Sequence, residues 1–103
     1  MIENFRSGAG GKIAEDIWNK GYSNKLPDKS HSTLTKALLQ IMHTTDTLLD
    51  LESKAHPPDI RIHDLKKDRK GQTAIDIVKT TGWRIVFVWK SGKFHDVEVV
   101  NYH

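Results

Sequence analysis

The last three residues of the chain, Asn101-Tyr102-His103, place a phenol and an imidazole directly after the apolar alternation of Val97 and Val99. A strand that ends on these groups leaves both at the edge of a sheet. Histidine titrates close to neutral pH, so His103 can take or give a proton under cellular conditions. The alternative is a frayed terminal residue without a function. Tyr102 can stack on an unpaired base or cover the rim of the core.

A basic segment lies upstream of this end. Between Arg61 and Lys70 there are five cationic side chains and two carboxylates, so this window carries as much net charge as the whole chain, which is +3. A local positive patch is typical of a surface that binds a phosphate backbone, and a solvated charged face is the alternative. The candidate phosphate contacts are Arg61, Lys67, Arg69 and Lys70.

Three further side chains could act on a phosphodiester. His63 and Lys66 lie in the basic segment, and Arg84 lies inside an otherwise apolar run. A charge within such a strand needs a partner or a ligand, so Arg84 is predicted either to pair with Glu98 or to bind an anion. Proton donors next to a phosphate-binding strip indicate chemistry on RNA.

The composition is that of one soluble domain, expected over residues 1–103. Of the 103 residues, 28% are charged and 37% hydrophobic, which suits a single core. The absence of cysteine excludes disulfides and thiolate metal sites. The six histidines show no i, i+4 pairing, so no metal and no cofactor are predicted. No apolar run is long enough for a membrane span, and the expected compartment is the cytoplasm.

Helical spacing predicts two helices in the first half of the chain. The first begins at Lys12 and stops at Gly21, with Ser7 as a candidate cap and the intervening glycines interpreted as a flexible turn. The second follows Asp28, a plausible N-cap. Its predicted buried face consists of Leu34, Ala37, Leu38, Ile41 and Met42. Its predicted polar face consists of Ser32, Thr35, Lys36, Gln40 and His43.

The second half of the chain has the period of two that is typical of strands. The strand from Trp83 to Trp89 is apolar on both faces except for Arg84, which favours a central position in the sheet. The other predicted strands are residues 2–5, 61–63, 73–79 and 94–102. Helices first and a mostly antiparallel sheet second predict an α+β domain with the helices on one sheet face.

The hairpin after Trp89 can close in two ways. A two-residue loop at Ser91-Gly92 would set Ile85 against Glu98. A three-residue loop from Lys90 would set Ile85 against Val97 and give Gly92 the left-handed conformation, so we expect the longer loop. That register also places Arg84 on the face opposite the core.

Three blocks of the sequence carry a family resemblance: residues 61–72 (RIHDLKKDRKGQ), 83–87 (WRIVF) and 96–103 (DVEVVNYH). In this order and spacing they resemble the HigB toxin branch of the RelE superfamily, the plasmid maintenance system killer proteins. The resemblance covers nearly the full chain. It implies a RelE-like compact domain with N-terminal helices on one face of a twisted, mostly antiparallel sheet.

The resemblance also implies an activity and partners. Such proteins are toxins of type II toxin–antitoxin systems, endoribonucleases (mRNA interferases) that cut messenger RNA on the ribosome and inhibit translation. The implied partners are a HigA-type helix-turn-helix antitoxin, the ribosome and mRNA, with operator DNA contacted only through the antitoxin and no membrane. By similarity, the active-site positions are His63, Lys66, Arg84, Tyr102 and His103. Lys67, Arg69 and Lys70 would contact phosphates of the message or of ribosomal RNA.

The mechanism consistent with these groups needs no metal: the ribose 2′-hydroxyl attacks the adjacent phosphorus and leaves a 2′,3′-cyclic phosphate. The general base stays open between His63, His103 and Lys66. Asn101 stands where the family has an acid before Tyr-His, which motivates an alternative, a relative that binds RNA or antitoxin without cleaving. A third interpretation is a basic RNA-binding module unrelated to toxins.

Overall fold

The elements that the structure describes are two helices and one antiparallel sheet of four strands, whose order in the sheet follows their order in the chain. A computed structural model describes residues 1–47, 51, 62–66, 69–78 and 81–101. Arg61, Lys67, Tyr102 and His103 lie outside the described residues, so the predictions for them stay predictions. The elements are α1 (Ala9–Lys20), α2 (Lys29–Thr44), β1 (Ile62–Asp64), β2 (Thr73–Asp76), β3 (Trp83–Lys90) and β4 (Lys93–Asn101). The predicted α+β class is confirmed.

Helix α1 begins earlier than its apolar spacing predicts. It starts at Ala9 after Gly8, with no side-chain cap, so the cap predicted at Ser7 is wrong. A Cβ atom at Gly11 would overlap the carbonyl oxygen of Arg6. Gly11 is therefore a position of close helix packing inside α1, and the prediction of a flexible turn is wrong. The helix ends as predicted at Gly21, whose φ of 87° is left-handed.

Helix α2 buries a face that coincides only in part with the predicted one, because Leu38 and Met42 are buried as predicted but Ala37 is exposed. Leu34 is exposed, whereas Ser32 and Thr35 are buried together with Leu38, Leu39 and Met42. The two hydroxyls are buried without a penalty because both form hydrogen bonds. Thr35 Oγ1 donates to the carbonyl of His31 at 2.7 Å. Ser32 Oγ accepts from the N–H of Ser23 at 3.2 Å.

The N-cap predicted at Asp28 is confirmed and gives a pH-dependent prediction. Its carboxylate accepts from the N–H of Ser30 at 3.0 Å, which holds the pKa of Asp28 below its usual 3.8. A lowered pKa stabilises the fold above the unfolded value, and this stabilisation is lost as the pH falls through the folded value. We expect Asp28→Ala to lower the urea midpoint at pH 7. The difference from the unmodified chain should shrink below about pH 4.

The control for this prediction is Asp28→Asn, which keeps an oxygen acceptor without a charge. We expect a smaller loss that does not change between neutral and acidic pH. An Asp28→Ala difference that persists undiminished at pH 3 would contradict the capping role of the ionised carboxylate.

Strand β3 lies between β2 and β4, as its apolar pattern predicts. The hairpin that follows has the two-residue loop, with Lys90 paired to Lys93, so the predicted three-residue loop is wrong. Ser91 and Gly92 both have positive φ, of 54° and 75°, as in the type I′ turn that fits the twist of paired strands. Ile85 nevertheless pairs with an apolar residue. A register shift between Val86 and Val88 makes Val99 its partner instead of Glu98.

The N-terminal segment holds the irregularity in β4 in place. Asp96 has a φ of 52°, a left-handed conformation that Asp tolerates better than most residues. Asn4 Nδ2 donates to Asp96 Oδ1 at 2.9 Å, and the N–H of Asp96 donates to Asn4 Oδ1 at 3.2 Å. The strand predicted over residues 2–5 is present only as two isolated parallel bridges, Ile2 to Phe94 and Phe5 to Val97.

The helices cover one face of the sheet. The core between the two layers contains Ala14, Ile17, Leu38, Leu39, Met42, Ile75, Ile85, Phe87, Phe94, Val97 and Val99. Because successive side chains of a strand alternate between faces, the residues between these strand positions lie on the opposite face. Among the described helices, none is long and apolar enough to cross a membrane.

Candidate active site

A row of paired residues crosses the sheet on the face opposite the hydrophobic core. His63 of β1 pairs with Ala74, Ala74 with Val86, and Val86 with Glu98 of β4. In the next row Asp76 of β2 pairs with Arg84 of β3. Directly paired side chains share a face, so these titratable groups lie on one surface.

Asp76 joins two of the predicted site residues. Its Oδ1 lies 2.8 Å from Nε of Arg84 and 3.3 Å from Nε2 of His63. Only 3% of the Asp76 side chain is exposed, against 26% for Arg84 and 36% for His63. The carboxylate therefore lies beneath a guanidinium and an imidazole that both reach the surface.

The sheet register explains this arrangement. Arg84 lies directly opposite Asp76, and His63 lies diagonally, because its partner Ala74 is two residues before Asp76. Diagonal neighbours on antiparallel strands are within reach of long side chains. When Nε2 of His63 donates to Asp76, Nδ1 is the basic nitrogen of the ring. A histidine held this way can accept a proton through Nδ1, as general bases oriented by a carboxylate do.

The ion pair that the sequence offered for Arg84 is wrong. Arg84 pairs with Val100 across β3 and β4, and its carboxylate partner is Asp76 rather than Glu98. In the observed register Glu98 lies opposite Val86, two residues along β3 from Arg84. The prediction that Arg84 lies on the face opposite the core is confirmed.

Glu98 has two other cationic partners. Its Oε2 lies 3.2 Å from Nη1 of Arg6 and 3.3 Å from Nη1 of Arg69, and 7% of its side chain is exposed. Arg6, Arg69, Lys70, Gln72 and Val88 line an open depression of about 500 Å³ beside this carboxylate. Two of the predicted RNA contacts, Arg69 and Lys70, thus belong to one basic depression.

Lys66 is not joined to these groups. It is exposed and follows β1 in the connection to β2. Within the described part of the chain, no hydrogen bond or ion pair involves its side chain. Its predicted role on the transferring phosphoryl group therefore stays a prediction, as do the roles of Arg61, Lys67, Tyr102 and His103.

The sequence interpretation missed Arg6 and Gln72 and treated Asp76 and Glu98 only in passing. A signal for both acids is present, because Asp76 and Glu98 each interrupt an apolar alternation. Charged residues at such positions are almost never buried unless they are paired. Arg6 has no comparable signal, since it lies outside every regular element.

No protein family model matches the chain, and no curated protein matches it significantly. Over the described ranges, no group of three or more His, Asp or Glu side chains is arranged to hold a metal ion.

Proposed function

We propose that the chain is an endoribonuclease, the toxin of a type II toxin–antitoxin system that cleaves messenger RNA on the ribosome. The observation that carries the proposal is the group of His63, Asp76 and Arg84 on the sheet face opposite the hydrophobic core, beside a basic depression. It combines an oriented base, a cation for phosphoryl oxygens and a surface for the RNA backbone. The resemblance to HigB-type toxins in the three sequence blocks supports the same function.

In the proposed reaction the 2′-oxygen of a ribose attacks the adjacent phosphorus while the bond from phosphorus to the 5′-oxygen breaks. His63, held by Asp76, takes the proton of the 2′-hydroxyl. A second acid protonates the leaving 5′-oxygen, for which His103 is the sequence-predicted residue. The products are a 2′,3′-cyclic phosphate and a 5′-hydroxyl. DNA lacks the 2′-hydroxyl, so it is not a substrate.

Arg84 stabilises the negative charge that develops on the phosphoryl oxygens. Its bond to Asp76 fixes the guanidinium before the substrate binds, and a quarter of its side chain remains exposed on the same face. Preorganised donors of this kind are often the largest single contribution to catalysis. In the cell, a HigA-type helix-turn-helix antitoxin would neutralise the chain in the cytoplasm.

The test is to express the intact chain in cells without an antitoxin and to map new 5′ ends in their messages. We expect growth arrest and new 5′-hydroxyl ends, both lost with His63→Ala. Lys25→Gln, which removes an exposed cation between the two helices, should leave both effects intact. Growth arrest without new ends would instead support the relative that binds without cleaving, and normal growth at good expression would contradict toxicity.

A further inference from the structure

We infer that Arg6 and Arg69, held together on the buried carboxylate of Glu98, form a second phosphate-binding site for the RNA strand. The inference rests on the proposed function and adds to it a subsite that includes Arg6, which the sequence did not indicate, and gives Glu98 a role in it. In this subsite the arginines touch the RNA, and Glu98 is a positioning residue.

The two guanidiniums are brought together by one atom. Arg6 and Arg69 both contact Oε2 of Glu98, at 3.2 and 3.3 Å, although they are far apart in the chain. About half of the Arg6 side chain and a third of the Arg69 side chain remain exposed. Arg6, Arg69 and Lys70 line the same depression, so most of its lining side chains are cationic.

The other oxygen of Glu98 lies against the start of α1. A Cβ atom at Gly10 would come within 2.7 Å of Oε1 and 3.0 Å of the carbonyl oxygen of Val99. Helix α1 begins with no acidic residue in its first turn and no side-chain cap, so its positive end favours a nearby carboxylate. The start of α1 thus packs against Oε1 of Glu98, while Oε2 contacts the two arginines.

Gln72 provides a second, independent indication of a ligand. It is 8% exposed and lines the depression, and its Oε1 accepts from Nη1 of Arg69 at 3.3 Å. Its Nε2 is buried and has no hydrogen-bond partner. A buried donor without an acceptor is unfavourable, and a turn of the Gln72 side chain toward a phosphate in the depression would supply the missing acceptor.

The subsite lies next to the proposed catalytic group. Arg84 faces Val100, two residues after Glu98 on the neighbouring strand, which places the Cα atoms of Arg84 and Glu98 about 7–8 Å apart. An RNA strand with one phosphate at Arg84 could therefore place a neighbouring phosphate between Arg6 and Arg69. The subsite would hold the strand in register while the scissile phosphate lies at His63 and Arg84.

The test measures binding separately from cleavage, with a short 2′-O-methyl oligouridine, which cannot provide the attacking hydroxyl. Its affinity for the full chain is followed by fluorescence anisotropy over a range of salt concentrations. We expect Arg6→Gln to weaken binding about tenfold and to reduce the slope of log K against log salt by about 0.7, the value for one phosphate. Arg6→Lys should recover part of the affinity, and Lys25→Gln should change neither quantity.

Glu98→Gln distinguishes the effect of Glu98 on the position of the two arginines from its effect on the net charge of the subsite. Removing a negative charge beside a phosphate would by itself strengthen binding, whereas releasing the two arginines from their shared anchor should weaken it. We expect weaker binding by a chain whose thermal unfolding is still cooperative. Should Glu98→Gln fail to fold, Arg6→Gln decides alone, because Arg6 lies at the surface.

The subsite and the proposed function can fail separately. Unchanged affinity and salt slope in Arg6→Gln, or tighter binding by folded Glu98→Gln, would overturn the subsite even if the chain cleaves RNA. Conversely, arginine-dependent binding by a chain that creates no 5′ ends in cells would support the subsite and contradict the nuclease. An oligouridine that does not bind at all would overturn the subsite.

Discussion

Replacing Gly11 by alanine is expected to lower the melting temperature by more than about 10 °C. The added Cβ would overlap the carbonyl oxygen of Arg6, and its next nearest neighbours are also backbone atoms of Arg6. A flexible side chain could move aside, but the backbone of the N-terminal segment cannot do so without releasing its hydrogen bonds to β4. Such overpacking costs about 3 kcal/mol or more.

The direction of the change in stability distinguishes close packing from helix propensity. In an exposed helix interior, glycine to alanine stabilises by about 1 kcal/mol because alanine has the highest helix propensity. A large loss at Gly11 therefore measures the close approach of Arg6 rather than helix propensity. Asn19→Ala, at an exposed position of the same helix, is the control and should leave the melting temperature unchanged or slightly higher. Equal melting temperatures for Gly11→Ala and the unmodified chain would contradict the close packing of Gly11 against the backbone of Arg6.

The N-terminal segment connects this packing to the site. The N–H of Arg6 donates to the carbonyl of Val97 at 3.0 Å, which places the Arg6 side chain beside Glu98. Gly10 and Gly11 allow α1 to approach both residues closely. The glycines thus position a proposed RNA contact, although the sequence alone suggested only a turn.

Much of the fold follows from the sequence because periodicity reports burial. The apolar run of β3 predicts a central strand, Gly21 predicts the end of α1, and Asp28 predicts the start of α2, and the structure confirms each. The buried face of α2 was predicted only in part, because Thr35, which the sequence places on the polar face, is buried and hydrogen-bonded to its own helix. A hydropathy scale scores Thr35 as polar and takes no account of that hydrogen bond.

The site was less predictable because it depends on one register shift. Without the irregularity between Val86 and Val88, the two-residue turn would set Glu98 opposite Ile85. The shift depends on the left-handed conformation of Asp96 and on its bonds to Asn4. Asn4 is far from Asp96 in the chain, and no local pattern relates the two residues. Sequence reasoning could therefore place Arg84 on the correct face but could not identify its partner.

The geometry around Asp76 also indicates a role for this acid that its sequence context does not suggest. Arg84 and His63 come from different strands, and both contact Oδ1 of Asp76. Removing the carboxylate would leave two cationic or polar groups to find separate positions. Asp76 is therefore expected to act on cleavage through its neighbours, as a positioning residue.

Replacing Arg84 by glutamine is expected to lower the rate of RNA cleavage about 10²–10³-fold, the range for removing one preorganised donor from a developing oxyanion. Glutamine keeps a hydrogen-bond donor and much of the length of the side chain but removes the charge. The measurement is single-turnover cleavage of a message bound to ribosomes, with Lys25→Gln as the matched loss of a cation. We expect the chemical step to slow far more than the affinity for RNA decreases.

The same substitution should also destabilise the fold moderately, and this effect must be separated from catalysis. The substitution removes the ion pair between Arg84 and the buried carboxylate of Asp76, and a hydrogen bond to a charged group contributes about 1.5–3 kcal/mol. Cleavage is therefore compared at a temperature where both proteins are fully folded by circular dichroism. A folded Arg84→Gln chain that cleaves within threefold of the unmodified rate would remove Arg84 from the mechanism. Loss of cleavage in Asp76→Asn, with Arg84 and His63 both present, would show that their position matters as well as their chemistry.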